Sequence, residues 1–119
     1  MENNKIIIAA SMLSSDLASL SSEASRMIEN GVDWLHMDIM DGVFVPNITF
    51  GFPVLKSLRK KNQTAFIDCH LMIVNPLQWI EEFYKSGANS ISFHIESCSD
   101  AEYVMKVIKK IKKYGLTVG

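Results

Sequence analysis

The chain has 119 residues, of which 48% are hydrophobic, with 12 Lys and Arg against 13 Asp and Glu. This length suits one domain, and the apolar content is sufficient for a buried core. A formal net charge of −1 argues against a nucleic-acid-binding surface or attachment to an acidic membrane. Because no apolar run approaches the roughly 20 residues of a membrane-spanning helix, we expect neither nucleic acid nor membrane as a partner.

The two cysteines, Cys69 and Cys98, lie far apart in the sequence. They fit neither a disulfide framework nor a CxxC metal motif. No basic segment followed by an apolar core opens the chain, so no secretory signal is predicted. We therefore expect a reducing, cytoplasmic environment.

Apolar runs predict buried strands, with a fifth strand beginning near the end of the chain. The predicted strands cover residues 6–10, 34–39, 65–73 and 90–95, and a stretch from Leu116. Apolar residues at steps of three and four predict helices between them, at residues 16–30, 76–86 and 100–114.

A glycine repeat supports this order of elements. Gly31, Gly87 and Gly115 each follow a predicted helix and precede a strand, at intervals of 56 and 28 residues. The repeating unit is therefore about 28 residues long, with one glycine missing near Lys60. Alternation of strands and helices at this period indicates an α/β fold with a parallel sheet.

Four βα units and the start of a fifth strand amount to the N-terminal half of a (β/α)8 TIM barrel, which is usually about 250 residues long. A flavodoxin-like open sheet is the alternative. A domain rarely ends where a strand begins, so we expect residues 1–119 to form a single incomplete barrel domain.

The second predicted strand carries polar residues on one face. Because side chains alternate along a strand, His36 and Asp38 point to the same side, near the strand's C-terminal end. Parallel α/β folds place their active sites at that end. Burying Asp38 without a partner would be costly, so it needs a cation, a metal or hydrogen-bond donors. A purely structural His–Asp pair is the alternative.

The third predicted strand has a similar pattern, with Asp68, His70 and Met72 on one face. If His36, Asp38 and His70 converge from neighbouring strands, they form a two-histidine, one-carboxylate set for a divalent metal. His94 and Glu96 end the fourth strand. We interpret His94 as a hydrogen-bonded pocket or core histidine rather than a metal ligand.

The segment of residues 41–51 is long for a strand-to-helix connection, and loops at this end often carry function. Within it, Asn47 and Thr49 are candidates either for contacting a polyol or for capping the following turn. Ser11 ends the first strand and faces the same mouth. Asp16 and Asp41 are interpreted as helix-cap or turn residues.

These segments together resemble the ribulose-phosphate 3-epimerase family, most closely its eukaryotic members. The resemblance is carried by ASMLSSD (10–16), LHMDIMDGVFVPNITFG (35–51), DCHLMIVNP (68–76), FHIE (93–96) and the final GLTVG. It covers the whole chain. One departure is Ala10, where the family usually has proline.

The resemblance implies a (β/α)8 barrel that uses one divalent metal cation, variously zinc, iron, manganese or cobalt. By this resemblance, the metal ligands are His36, Asp38 and His70. Asp38 is also one of two catalytic aspartates, and Ser11 and His70 contact the substrate. The implied reaction interconverts D-ribulose 5-phosphate and D-xylulose 5-phosphate, in the pentose phosphate pathway, by moving a proton at C3.

The same resemblance places the second catalytic aspartate and the phosphate-binding loops beyond Gly119. We therefore expect a polypeptide of residues 1–119 to be inactive alone, and the full-length enzyme to be a homodimer or larger. Two alternatives stay open. One is the related allulose-6-phosphate epimerase, which shares the motifs, and the other is a truncated chain without catalytic function.

Overall fold

The computed structural model describes residues 5–119, in which five strands alternate with four α-helices. The strands are β1 (Ala9–Ser11), β2 (Trp34–Met40), β3 (Phe66–Met72), β4 (Ser90–Phe93) and β5 (Thr117–Val118). The helices are α1 (Leu20–Glu29), α2 (Phe52–Lys61), α3 (Ile80–Lys85) and α4 (Ala101–Lys113). Most predicted elements agree with these bounds, and α2 fills the repeat unit that lacks its glycine.

All five strands are parallel and lie in the sheet in the order β1-β2-β3-β4-β5. A flavodoxin-like sheet would place its second strand outside the first. The sequential order instead matches consecutive units of a (β/α)8 barrel. The predicted fold class, an α/β chain forming part of a TIM barrel, is therefore confirmed.

The two faces of the sheet differ in character. Leu35, Met37 and Ile39 of β2 are buried in the hydrophobic core together with apolar residues of the helices. The intervening His36 and Asp38 are on the opposite face and remain partly exposed. The alternation predicted for β2 is confirmed, and it leaves the polar residues free to form a site.

The start of the chain departs from the prediction of a buried strand over residues 6–10. The strand covers Ala9–Ser11 instead, and the side chains of Ile6 and Ile8 are 84% and 57% exposed. In the described part of the chain β1 is an edge strand that pairs with β2 alone. Apolar composition predicted burial here, but no further element of residues 5–119 covers these side chains.

Arg59 of α2 joins the ends of two repeat units. Its guanidinium donates hydrogen bonds to the carbonyl oxygens of Gly87 and Ala65 and to Oδ1 of Asn89, among other acceptors. Gly87 has a φ of +104°, and a Cβ at this position would lie 2.7 Å from Cγ of Arg59. This glycine is therefore required both for its backbone conformation and for the close approach of the arginine.

Two further features concern the helices. Asp16 accepts a hydrogen bond from the backbone N–H of Ala18 at 3.0 Å, which confirms its interpretation as a cap. The longest α-helix of residues 5–119 is α4, with 13 residues. Within those residues, no helix combines the length and the apolar character that crossing a membrane requires.

Candidate functional site

The C-terminal ends of β1, β2 and β3 bring four predicted site residues together. The strand register pairs Ser11 with His36 and Asp38 with His70. All four side chains are on the sheet face opposite the hydrophobic core, at the strand ends where parallel α/β folds place their sites.

Asp38 is at the centre of this group. Its Oδ1 lies 3.2 Å from Nε2 of His36 and 3.1 Å from Nδ1 of His70, and its Oδ2 accepts a hydrogen bond of 2.6 Å from the Ser11 hydroxyl. Burial alone would raise the pKa of Asp38. The hydrogen bonds from Ser11 and His70 lower it below its ordinary value, and the electrostatic influence of the neighbouring imidazoles acts in the same direction. The site therefore favours the ionised carboxylate.

One ring nitrogen of each histidine and one oxygen of Asp38 all lie within 4.8 Å of one another. Nδ1 of His36 is 2.7 Å from Oδ2 of Asp68, so in the neutral ring the proton is on Nδ1. Nε2 of His36 then directs a lone pair toward the Asp38 carboxylate. Two acceptors that face each other across 3.2 Å suit a cation between them, so this donor set fits a divalent metal.

Asp68 is the residue of this site to which the sequence assigned no function. Its side chain is almost fully buried, and among residues 5–119 its Oδ1 has no hydrogen-bond partner. The alternation of β3 placed Asp68 on the same face as His70. The missing information was the register that pairs Asp68 with His36 on the neighbouring strand.

His94 lies beside the group without belonging to the metal-ligand set. Its Nε2 is 2.8 Å from Nε2 of His70, and the ring of Phe44 packs against it with centroids 5.3 Å apart. One of the two imidazoles must donate the proton of this hydrogen bond. The prediction that His94 is hydrogen-bonded is confirmed, and its interpretation as a residue other than a metal ligand stays a prediction.

The loop of residues 41–51 is held by internal hydrogen bonds. Oδ1 of Asp41 accepts from the backbone N–H groups of Val43 and Phe44, and Oδ2 accepts from that of Val74, after β3. Asp41 is therefore a turn residue, as predicted, and it also joins two loops.

The hydroxyl of Thr49 forms hydrogen bonds with the backbone of β2. These contacts favour a structural function for Thr49 over contact with a polyol.

Comparison with known proteins agrees with this arrangement. The sequence model of the ribulose-phosphate 3 epimerase family matches residues 7–119. The chain is 53% identical over 112 residues to the cytoplasmic isoform of ribulose-phosphate 3-epimerase from Oryza sativa subsp. japonica, covering 94% of this chain and 48% of the relative. It is 38% identical to the ribulose-phosphate 3-epimerase of Chlamydia trachomatis, covering 100% of this chain and 49% of the relative.

A solved structure of dihydropteroate synthetase with a product has a similar fold, with a TM-score of 0.66 and 13% sequence identity. The match covers 97% of this chain and 44% of that one, and at this identity it bears on the fold alone. The chain spans about half the length of the curated relatives it matches. From the family match and these identities, the chain belongs to the ribulose-phosphate 3-epimerase family.

Proposed function

We propose that the protein to which this chain belongs interconverts D-ribulose 5-phosphate and D-xylulose 5-phosphate, as an isomerase of the pentose phosphate pathway. Family membership supports this reaction. The single observation that carries the proposal is the position of Asp38 at the C-terminal ends of three adjacent parallel strands. Its carboxylate forms hydrogen bonds with Ser11 and His70, and Nε2 of His36 lies 3.2 Å from its Oδ1.

The chemistry requires a base beside C3 of the sugar phosphate. The hydrogen at C3 is adjacent to the C2 carbonyl, so its removal leaves an enediolate whose charge is shared with oxygen. The Asp38 carboxylate takes this proton as general base. Ser11 holds the other carboxylate oxygen in place and, with His70, contacts the substrate.

We propose that His36, Asp38 and His70 hold one divalent cation. Imidazole and carboxylate ligands suit zinc, iron, manganese or cobalt. When bound, the cation supplies Lewis-acid stabilisation of the negative charge that develops on the substrate oxygens. Ser11 donates a short hydrogen bond to Asp38, and Asp68 accepts one from His36, and these two contacts keep the ligand side chains in their orientations.

Inversion at C3 requires a second acid on the opposite face of the substrate. We propose, from the family resemblance, that this group and the loops that bind phosphate belong to strands that follow residue 119. We therefore propose that residues 1–119 form half of a barrel domain. A polypeptide limited to them would carry one acid–base group and would not catalyse epimerisation.

Compartment and assembly are proposed from the relatives. The relative from Oryza sativa is named a cytoplasmic isoform, and we propose the cytoplasm for this protein as well. Family resemblance favours a homodimer or a larger assembly of the full-length protein. The substrate would be a small sugar phosphate.

The experiment is a steady-state assay of the protein at its native length with D-ribulose 5-phosphate, following formation of D-xylulose 5-phosphate. Asp38→Asn should lower kcat by roughly a hundredfold to ten-thousandfold, the usual contribution of a general acid or base. Asp16→Asn is the matched control and should retain activity, because Asp16 caps a turn and does not belong to the group of His36, Asp38 and His70. An active Asp38→Asn variant, or a wild-type protein that turns over only D-allulose 6-phosphate, would contradict the proposal.

A further inference from the structure

We infer that Asp68 is a positioning residue that sets the tautomer of His36 and so keeps one ring nitrogen available for the cation. This inference rests on the metal site proposed above and assigns a function to a residue outside the ligand set. It follows from the hydrogen bond between His36 and Asp68, which excludes the tautomer with the proton on Nε2 of His36.

The pairing of the two residues is built into the sheet. His36 and Asp68 occupy directly paired positions of β2 and β3, and Nδ1 of His36 lies 2.7 Å from Oδ2 of Asp68. The Asp68 side chain has 9% of its surface exposed. Among the residues from 5 to 119, this is the only hydrogen bond of its carboxylate, and no lysine or arginine pairs with it.

A carboxylate accepts hydrogen bonds, so the hydrogen of this contact belongs to Nδ1 of His36. A neutral imidazole carries one such hydrogen, and Nε2 is therefore a free acceptor. Without Asp68 the hydrogen could move to Nε2. There it would be donated to Oδ1 of Asp38, 3.2 Å away. Nε2 would then have no lone pair available to bind the cation.

The energetics point the same way. A buried carboxylate is costly for the fold when one of its oxygens has no partner, as Oδ1 of Asp68 has none within the described part of the chain. The presence of a buried pair of this kind is weak evidence that it stabilises the fold, because the cost of desolvating the two groups can exceed their attraction. The contact instead resembles the carboxylate–histidine–metal arrangements in which an outer carboxylate orients the ligand ring, and loss of such a partner typically weakens metal affinity ten- to hundredfold.

The first test measures Co²⁺ affinity by competition with a chelating dye. Asp68→Ala should weaken Co²⁺ binding ten- to hundredfold, and Asp68→Asn, which keeps an acceptor oxygen and the side-chain size, should weaken it less. In a His36→Ala background, Asp68→Ala should cause no further loss, because its effect acts through His36. Ser86→Ala is the matched control. Ser86 is also buried, its hydroxyl has no hydrogen-bond partner among residues 5–119, and it lies at the end of α3.

The second test does not depend on metal binding. In ¹⁵N NMR spectra of the metal-free protein at about pH 8, where an unperturbed imidazole is neutral, His36 should carry its proton on Nδ1. Asp68→Ala, which removes the acceptor, should shift the ring toward the other tautomer. Absence of Co²⁺ binding with the Nδ1 tautomer intact would overturn the metal site but leave this tautomer assignment standing. A wild-type ring protonated on Nε2, or an equal effect of Asp68→Ala in the His36→Ala background, would overturn the inference.

Discussion

The hydroxyl of Thr49 donates a hydrogen bond of 2.6 Å to the backbone carbonyl of Asp38 and accepts one of 3.1 Å from the backbone N–H of Met40. The loop of residues 41–51 is thereby fastened to the end of β2, next to the proposed catalytic carboxylate. One threonine side chain thus serves both the carbonyl of Asp38 and the N–H of Met40 at the end of β2.

Replacing Thr49 by valine keeps the shape of the side chain and removes both hydrogen bonds. Thr49→Val should lower the free energy of unfolding by about 1–3 kcal/mol, because two partly buried backbone groups lose their partner. Urea unfolding measures this change. Thr49→Ser keeps the hydroxyl and is the matched control. Equal stability of the valine and serine variants would show that the hydroxyl does not fasten the loop.

Asp41 should make stability depend on acid pH. Burial would raise the pKa of Asp41, but hydrogen bonds from the backbone N–H groups of Val74, Val43 and Phe44 lower it below its ordinary value. A depressed folded-state pKa stabilises the protein above the unfolded value of about 3.9, and this contribution is lost as the pH falls through the folded-state pKa.

The measurement is urea unfolding of the wild type and of Asp41→Asn at a series of pH values. The difference in unfolding free energy should be largest near neutral pH and should shrink below about pH 4. A difference that stays constant over this range would mean that the charge of Asp41 does not contribute.

Arg59 should be among the largest single contributors to stability in α2. Its guanidinium donates to carbonyl oxygens of Gly87, Ala65 and Asn62, and its burial lowers the pKa of the group. Arg59→Met would leave several part-buried carbonyls unpaired, at roughly 1–3 kcal/mol each.

Chemical denaturation of Arg59→Met and of Arg26→Met compares the two arginines. Arg26 makes an exposed ion pair with Glu23, so its loss should change stability little. Gly87→Ala should also destabilise, since the added Cβ would lie 2.7 Å from Cγ of Arg59 at a φ of +104°. Similar effects of the two arginine substitutions would contradict the account.

The sequence predicted those features that depend on local periodicity. Alternation along β2 separated His36 and Asp38 from the core residues, and the glycine at residue 87 marked the end of a repeat unit. The exposed Ile6 could not be predicted, because burial depends on which elements cover a strand and not on its composition.

Contacts between residues far apart in the chain could not be predicted from the sequence either. Asp68 and His36 are 32 residues apart, and only the register of β2 against β3 places them opposite each other. The contacts of Arg59 depend likewise on how α2 lies against the turn after α3. The residue types alone predicted a set of metal ligands. The residues that orient those ligands could be identified only from the three-dimensional structure.

The ligand assignment distinguishes His70 from its neighbour His94. Co²⁺ at a hundred times its Kd should raise the free energy of unfolding by about 2.7 kcal/mol. This stabilisation should disappear in His70→Ala and persist in His94→Gln, because His94 is outside the group that includes His36 and Asp38. Thermal unfolding with and without Co²⁺ measures it. Loss of the stabilisation in both variants would make His94 a ligand.

The most direct test of the central claim follows the hydrogen at C3. In D₂O, the protein at its native length should convert D-ribulose 5-phosphate into D-xylulose 5-phosphate that carries deuterium at C3, detected by NMR or mass spectrometry. Asp38→Asn should leave C3 unexchanged. Product that retains its original hydrogen, or exchange by Asp38→Asn at the wild-type rate, would contradict proton abstraction by Asp38.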